Sequence, residues 1–198
     1  KNGIMITASH NPKEYNGFKI SFSYKGNACG KEIFDFKDFT FKGNFTNEKG
    51  TYKKYNDNFN SYINKIKESI NLGNKKIKAV FDPGNGTGAI ILDKILQEFD
   101  IEYKIINGES DGNFPNHHPD PSVEENMEML KKEVLNGGYD IGIGIDGDAD
   151  RVGVIDNKGN FIPIDNVMIT IYKYLNPNLK NRHAIMDVKC SKAVIDEM

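Results

Sequence analysis

From Ile77 onward the chain alternates short apolar runs with longer amphipathic ones, each pair separated by glycine-, proline- or asparagine-rich punctuation. Residues 77–81 read as a strand, the loop Gly84-Asn85-Gly86-Thr87-Gly88 follows, 89–99 read as a helix and 101–106 as a second strand. Further on, 139–145 and 151–155 read as strands, Asp156-Asn157-Lys158-Gly159 turns into a fifth near Phe161, and 167–175 read as a helix closed by Pro177. Parallel neighbours cannot be joined by a tight turn, so a helix must carry the chain back between them. Alternation of this kind therefore predicts an α/β fold: three-layer α/β/α sandwich domains with mostly parallel mixed sheets.

The rest of the chain is less regular. Residues 3–7 and 18–24 read as strands flanking a loop that carries Ser9. Across 25–51, Ile33, Phe34, Phe36, Phe39 and Phe41 mix periods of two and three, so helix and strand are both open. Phe59, Ile63, Ile66 and Ile70 form a helical stripe that Gly73-Asn74 ends. Ser122 and Glu125 have capping-box spacing ahead of a helix that runs to Gly137-Gly138. A last strand is expected over 184–188, and "SKAVIDEM" reads as the first turns of a helix. A chain that opens beside a strand and stops inside a helix is expected to be a piece of a longer one.

The 198 residues carry 26 Lys+Arg against 28 Asp+Glu, a net charge of -2. That balance offers no basic excess for nucleic acid and no polybasic block for a membrane surface. No apolar stretch approaches the roughly 18 to 20 residues of a bilayer span. Cys29 and Cys190 form no CxxC pattern, and a reducing, cytoplasmic setting is the simplest expectation.

The most chemically loaded stretch is "DIGIGIDGDADRVGVID". Ile141, Ile143 and Ile145 share one parity; Gly142 and Gly144 share the other, which Asp146, Asp148 and Asp150 continue. Fully extended, the first and last carboxylates would stand about 13 Å apart at about 3.3 Å per residue. A bend at Gly147 and Ala149 would bring them together. Converging carboxylates repel, and a divalent cation removes the cost; oxygen-only ligands favour Mg²⁺, Ca²⁺ or Mn²⁺ over Zn²⁺. A solvated acidic turn is the plainer alternative. An EF-hand fits poorly, since its sixth position wants Gly where Arg151 stands and its twelfth wants Glu where Asn157 stands. An aspartyl-nucleophile phosphatase opens with a strand and D-x-D, but expects Thr or Val where this chain has Asp150. Arg151 is suited either to grip a phosphate with two bonds or to neutralise the aspartates.

Gly84, Gly86 and Ala89 satisfy G-x-G-x-x-A, with Glu109 near the position of a ribose-binding acid. The match to a dinucleotide site is weak, because any strand-to-helix turn uses small residues and Asp82-Pro83 is foreign to that fingerprint. His117-His118 sit among prolines, and adjacent side chains rarely converge on one ion, so loop-bracing roles are expected of them.

"TASHNP…NGFKI" together with "DGDADRVGVID" resembles the α-D-phosphohexomutase superfamily, and "DGNFPNHHPDP" and "MDVKCS" narrow the likeness to its phosphomannomutase/phosphoglucomutase branch. The resemblance runs through most of the chain and is poorest over 25–51. It implies a four-domain parent of which this chain holds residues 1–51 as the end of domain 1, 52–178 as domain 2 and 179–198 as the start of domain 3. It further implies interconversion of hexose 6-phosphate and hexose 1-phosphate, of mannose or glucose, through a phosphoserine and a hexose bisphosphate, with Mg²⁺ as cofactor. Ser9 matches the phosphoryl carrier. Asp146, Asp148 and Asp150 match the metal ligands, which a phosphoserine oxygen on Ser9 completes. Lys19 matches a proton-transfer residue, His10 a substrate or phosphate contact, and Lys189 a substrate-phosphate contact. The serine's role comes from the resemblance alone, since no GxSxG elbow surrounds Ser9. A structural or Mg²⁺-binding fragment without turnover is the alternative reading for these 198 residues.

Overall fold

The computed structural model describes residues 2–9, 11–23, 26–55, 59–175 and 183–197, apart from the side chain of Leu175. The chain divides into two compact units, Lys1–Asn58 and Phe59–Met198.

In the first unit, β1 (Gly3–Ile6) and β2 (Phe18–Ser21) pair antiparallel, with Ile6 opposite Phe18 and Met5 opposite Lys19. The loop between them is closed at its neck by the Thr7 amide donating to Gly17 O (2.9 Å). A Cβ at Gly17 would lie 2.7 Å from the carbonyl oxygen of Thr7, so the closure requires glycine. The segment whose period was ambiguous forms a helix, α1 (Lys31–Lys42). Gly30 and Gly43 flank it with φ of 53° and 66°, and the left-handed turn at Gly43 ends it as a C-terminal glycine should. Among the described residues, no apolar side chain of this unit is fully buried.

The second unit opens with α2 (Asn60–Ser69), the predicted stripe, and then builds one sheet. The order is β4–β3–β5–β6–β7, made of β3 (Lys78–Asp82), β4 (Glu102–Ile105), β5 (Ile141–Ile145), β6 (Val152–Asp156) and β7 (Phe161–Ile162). β3 pairs parallel with both β4 and β5, whereas β5–β6 and β6–β7 are antiparallel. Only β6 therefore opposes the direction of the others, as a mostly parallel mixed sheet requires. α3 (Ala89–Leu96) joins β3 to β4, and α4 (Glu128–Gly137), entered through a 3₁₀ turn at Glu124–Met127, precedes β5.

The two helices cover opposite faces because β3 alternates. Val80 joins Met127, Leu130, Val134 and Ile155 under α4; Ala79 and Phe81 join Leu92 and Leu96 under α3, with Ile141, Ile143 and Ile145 against them. The glycine parity of β5 has a steric cause. A Cβ at Gly142 would come within 2.6 Å of Val134 Cγ2, and one at Gly144 within 2.6 Å of Met127 Sδ. Hydrogen atoms in those places let α4 lie directly on the sheet. α5 (Ile164–Leu175) and α6 (Lys192–Glu197) complete the unit.

Two local expectations fail. Ser122 forms no capping box: its Oγ donates to Asp120 Oδ1 at 2.6 Å, a charged acceptor two residues away, and the helical segment starts after Val123 without a side-chain cap. Residues 183–187 form no strand, because no neighbouring backbone pairs with them; Ile185 is 98% exposed and Val188 fully so. A strand needs a partner for its ladder, and β-propensity alone does not supply one.

Candidate metal and phosphate site

β3 and β5 are adjacent and parallel, yet the chain leaves β3 for β4 on one side and returns to β5 on the other. This is a topological switch point, where loops at the carboxyl ends of strands open a crevice for ligands. The two loops that meet there are the glycine loop after Asp82 and the acidic loop after Ile145.

The acidic loop is a tight reversal between Ile145 and its partner Val152. The Asp146 amide donates to Arg151 O (3.2 Å) and the Ala149 amide to Asp146 O (3.1 Å). Ala149 takes a left-handed φ of 64°, so the expected bend falls there. One carboxylate oxygen from each of Asp146, Asp148 and Asp150 lies within 4.8 Å of the others. The three differ in environment. Asp146 is completely buried: its Oδ1 accepts the amides of Asp150 (2.9 Å) and Arg151 (3.0 Å), and its Oδ2 accepts Arg151 Nε (2.8 Å). Burial works against its ionised form, but the Arg151 amide and guanidinium and the Asp150 amide outweigh it and hold the carboxyl below its usual range. Asp150 is exposed, and the charge of Asp148, then of Asp146, pushes its carboxyl up. All three donors are hard oxygens, a set that fits Mg²⁺.

Arg151 is spent on carboxylates. Besides Asp146, its Nη1 reaches Asp120 Oδ1 (3.1 Å), itself held by the amide and hydroxyl of Ser122. The Ser122 hydroxyl, against the cost of burial, and Arg151 lower the Asp120 carboxyl. Sequence reasoning missed Asp120, whose only signal was its place in "NHHPDP". Three N–H donors on its two oxygens tie the Asp146 carboxylate into the loop.

The glycine loop offers no phosphate cradle. The amides of Gly84, Asn85, Gly86 and Thr87 donate in turn to Asp82 Oδ1, Asn107 O, Pro83 O and Gly147 O. Beneath it lies a buried polar cluster. Asp82 accepts both Asn107 Nδ2 and, at 3.0 Å, His117 Nε2, while His117 Nδ1 lies 2.9 Å from His118 O. Two acceptors on one ring call for two protons, and the bond to Asp82 raises the His117 pKa despite burial. His117 is thus the loop brace that its proline-rich context suggested.

Ser9, the carrier implied by the resemblance, stands in the β1–β2 loop of the first unit, exposed, with φ of 54° and its amide donating to Thr7 Oγ1 (3.0 Å). Lys19 is exposed on β2. Lys189 lies in a turn closed by the Cys190 amide donating to Asp187 O (3.1 Å). His10 lies outside the described residues.

A phosphohexose-mutase type of α/β/α domain is what this sheet and acidic loop define. The signature of the phosphoglucomutase/phosphomannomutase alpha/beta/alpha domain II matches residues 60–159, and that of domain I matches residues 1–45. The chain belongs to the phosphoglucomutase/phosphomannomutase family. It is 37% identical over 193 residues to a phosphomannomutase/phosphoglucomutase of Pseudomonas syringae pv. tomato, covering 97% of this chain and 41% of that protein. It is 36% identical over 199 residues to a phosphoglucomutase of Neisseria gonorrhoeae, covering 96% of this chain and 41% of the other. A crystal structure of a phosphoglucomutase/phosphomannomutase family protein from Burkholderia thailandensis superposes with a TM-score of 0.73 at 30% identity, over 88% of this chain and 37% of that one. The chain thus spans about two fifths of the length of the curated relatives named here. No described helix is long and apolar enough to cross a membrane.

Proposed function

We propose that the chain supplies the phosphoryl-carrying serine and the ion-holding loop of a hexose-phosphate mutase that uses Mg²⁺. The observation that carries this reading is the convergence of three carboxylate oxygens within 4.8 Å, at a sheet switch point, in a member of this family. Asp146, Asp148 and Asp150 are the residues that would hold Mg²⁺, which supplies charge neutralisation at a transferring phosphoryl group.

In this reading the Ser9 Oγ–phosphorus bond breaks as a hydroxyl oxygen of a hexose phosphate bonds to the phosphorus. Lys19 relays the hydroxyl proton to the departing Ser9 Oγ, and the products are a hexose bisphosphate and the free serine. The bisphosphate turns round and returns its other phosphoryl group to Ser9, giving the isomeric monophosphate. Arg151 fixes the acidic loop; His10 and Lys189 contact phosphate oxygens. Residues 179–198 open a third domain of the longer protein, and residues 1–198 alone turn over no hexose phosphate, because the remaining sugar contacts lie outside them.

The test is intact mass with site mapping of the chain as purified from the cells that express it. A single added phosphate on Ser9, stable to acid and absent from Ser9→Ala, is expected. A hydroxylamine-labile phosphate on an aspartate would overturn the reading, as would steady mutase turnover by the 198-residue chain for the incomplete-site part of it.

A further inference from the structure

The acidic loop raises a mechanical question. One oxygen from each of its three carboxylates lies within 4.8 Å of the others, close enough for like charges to repel, and Ala149 sits in a backbone region that costs an alanine about 1 kcal/mol or more. Left alone, such a loop would splay. We propose that the glycine loop is the template that holds it, with Gly86 and Thr87 as positioning residues for the ion ligands; this rests on the reading that Asp146, Asp148 and Asp150 hold the ion.

The contact is centred on Gly147, between the first two ligands. Thr87 grips the Gly147 carbonyl oxygen twice, through its amide at 2.9 Å and its hydroxyl at 3.1 Å. Gly86 lies directly beneath. A Cβ there would meet Gly147 Cα and O at 2.8 Å and Pro83 O at 3.0 Å. All three atoms are backbone, so nothing can swing aside. Gly86 is not among the residues of positive φ, so its glycine is demanded by the approach of the other loop and not by its own conformation. A Cβ at Gly88 would meet Ala149 Cβ at 3.2 Å, which extends the contact to the strained residue. From the other side, a Cβ at Gly147 would meet Pro119 Cγ at 3.4 Å and Phe114 Cζ at 3.8 Å, so the loop tip is held between two walls.

The glycine loop in turn has a fixed base. Asp82 and Asn107 engage the amides of Gly84 and Asn85, Asn85 Nδ2 donates to Glu109 O (2.8 Å), and Asn116 Nδ2 donates to Asn85 Oδ1 (2.8 Å). A rigid template is what preorganised ligands need, because an ion otherwise has to supply the work of collecting them.

Mn²⁺ binding by electron paramagnetic resonance tests this on the whole chain, with urea unfolding in EDTA run on every variant. Thr87 is exposed, so Thr87→Val leaves the fold intact; it is expected to weaken Mn²⁺ about five-fold, the worth of one hydrogen bond. Thr87→Ser restores the donor and is expected to bind within about two-fold of the native chain, a rescue that a merely structural role for the side chain would not produce. Gly86→Ala is expected to weaken Mn²⁺ at least about ten-fold, since the Cβ pushes Gly147 away. Native-like affinity in both Thr87→Val and Gly86→Ala, with Asp148→Asn failing to bind, would overturn the template and leave the ion site standing. Absence of binding by the native chain, or full binding by Asp148→Asn, would overturn the ion reading and the template with it.

Discussion

The three aspartates should come apart experimentally, because Asp146 is tied into the fold by three N–H donors. Asp146→Asn preserves shape and removes charge. Asparagine Oδ1 can still accept the amides of Asp150 and Arg151, but its Nδ2 then confronts Arg151 Nε, which donates to Oδ2 at 2.8 Å in the native chain. One charge-assisted bond is lost, worth about 1.5 to 3 kcal/mol, and the two retained bonds lose their ionic acceptor. Arg151 is 44% exposed, so water recovers part of the guanidinium's loss. The net expectation for the metal-free protein is a loss of about 2 kcal/mol. With a urea slope of about 1 to 3 kcal/mol per molar, the midpoint falls by about 1 M. Asp148→Asn should do the reverse. It removes the charge that weighs most on Asp150 and so leaves the metal-free midpoint unchanged or raised, while abolishing ion binding. Urea titrations in EDTA, followed by far-ultraviolet circular dichroism, read both. Equal losses in the two variants, or an unmoved midpoint in Asp146→Asn, would refute the assignment of Asp146 to the fold.

Three further outcomes are expected. The His117–Asp82 pair contributes stability that is fully present below the ordinary histidine value of 6.5 and is lost as pH rises through the raised native value; His117→Gln should flatten that part of a stability-against-pH curve, and a retained slope would assign it elsewhere. Ala149→Gly releases a left-handed φ of 64° and should stabilise the chain by about 1 kcal/mol in the same urea assay. Gly142→Ala drives a methyl group to 2.6 Å from Val134 Cγ2 and should cost about 1 to 3 kcal/mol, visible as a lower thermal midpoint.

The sheet was legible because its strands are bounded by turn chemistry and its helices carry a stripe of the right period. Parity in "IGIGI" even separated the two faces, although which face takes α4 follows only from the clash a Cβ would make with Val134 and Met127. Within the ambiguous 25–51 segment a helix forms between Gly30 and Gly43, both at positive φ, a conformational role the sequence pattern does not display. The failed strand at 184–188 shows the converse limit. A β-favouring run specifies a strand only when another strand is there to receive its hydrogen bonds.

The acidic loop was legible for a different reason: its three aspartates alternate with small residues, so charge, spacing and bend all lie within one hexapeptide. What holds that hexapeptide in place is not local. Thr87 and Gly147 are 60 positions apart, and Asp120 and Arg151 31 apart. Neither pair leaves a periodic trace. "GNGTG" is therefore open to misreading as a nucleotide fingerprint, since a glycine needed for close approach looks the same whether the approaching group is a pyrophosphate or another loop. The distinction lies in the amides. A phosphate cradle must leave its N–H groups unspent, and here those of residues 84–87 all donate to protein oxygens. The same glycines that suggest a ligand in the sequence thus become, in the fold, the surface against which the neighbouring acidic loop packs.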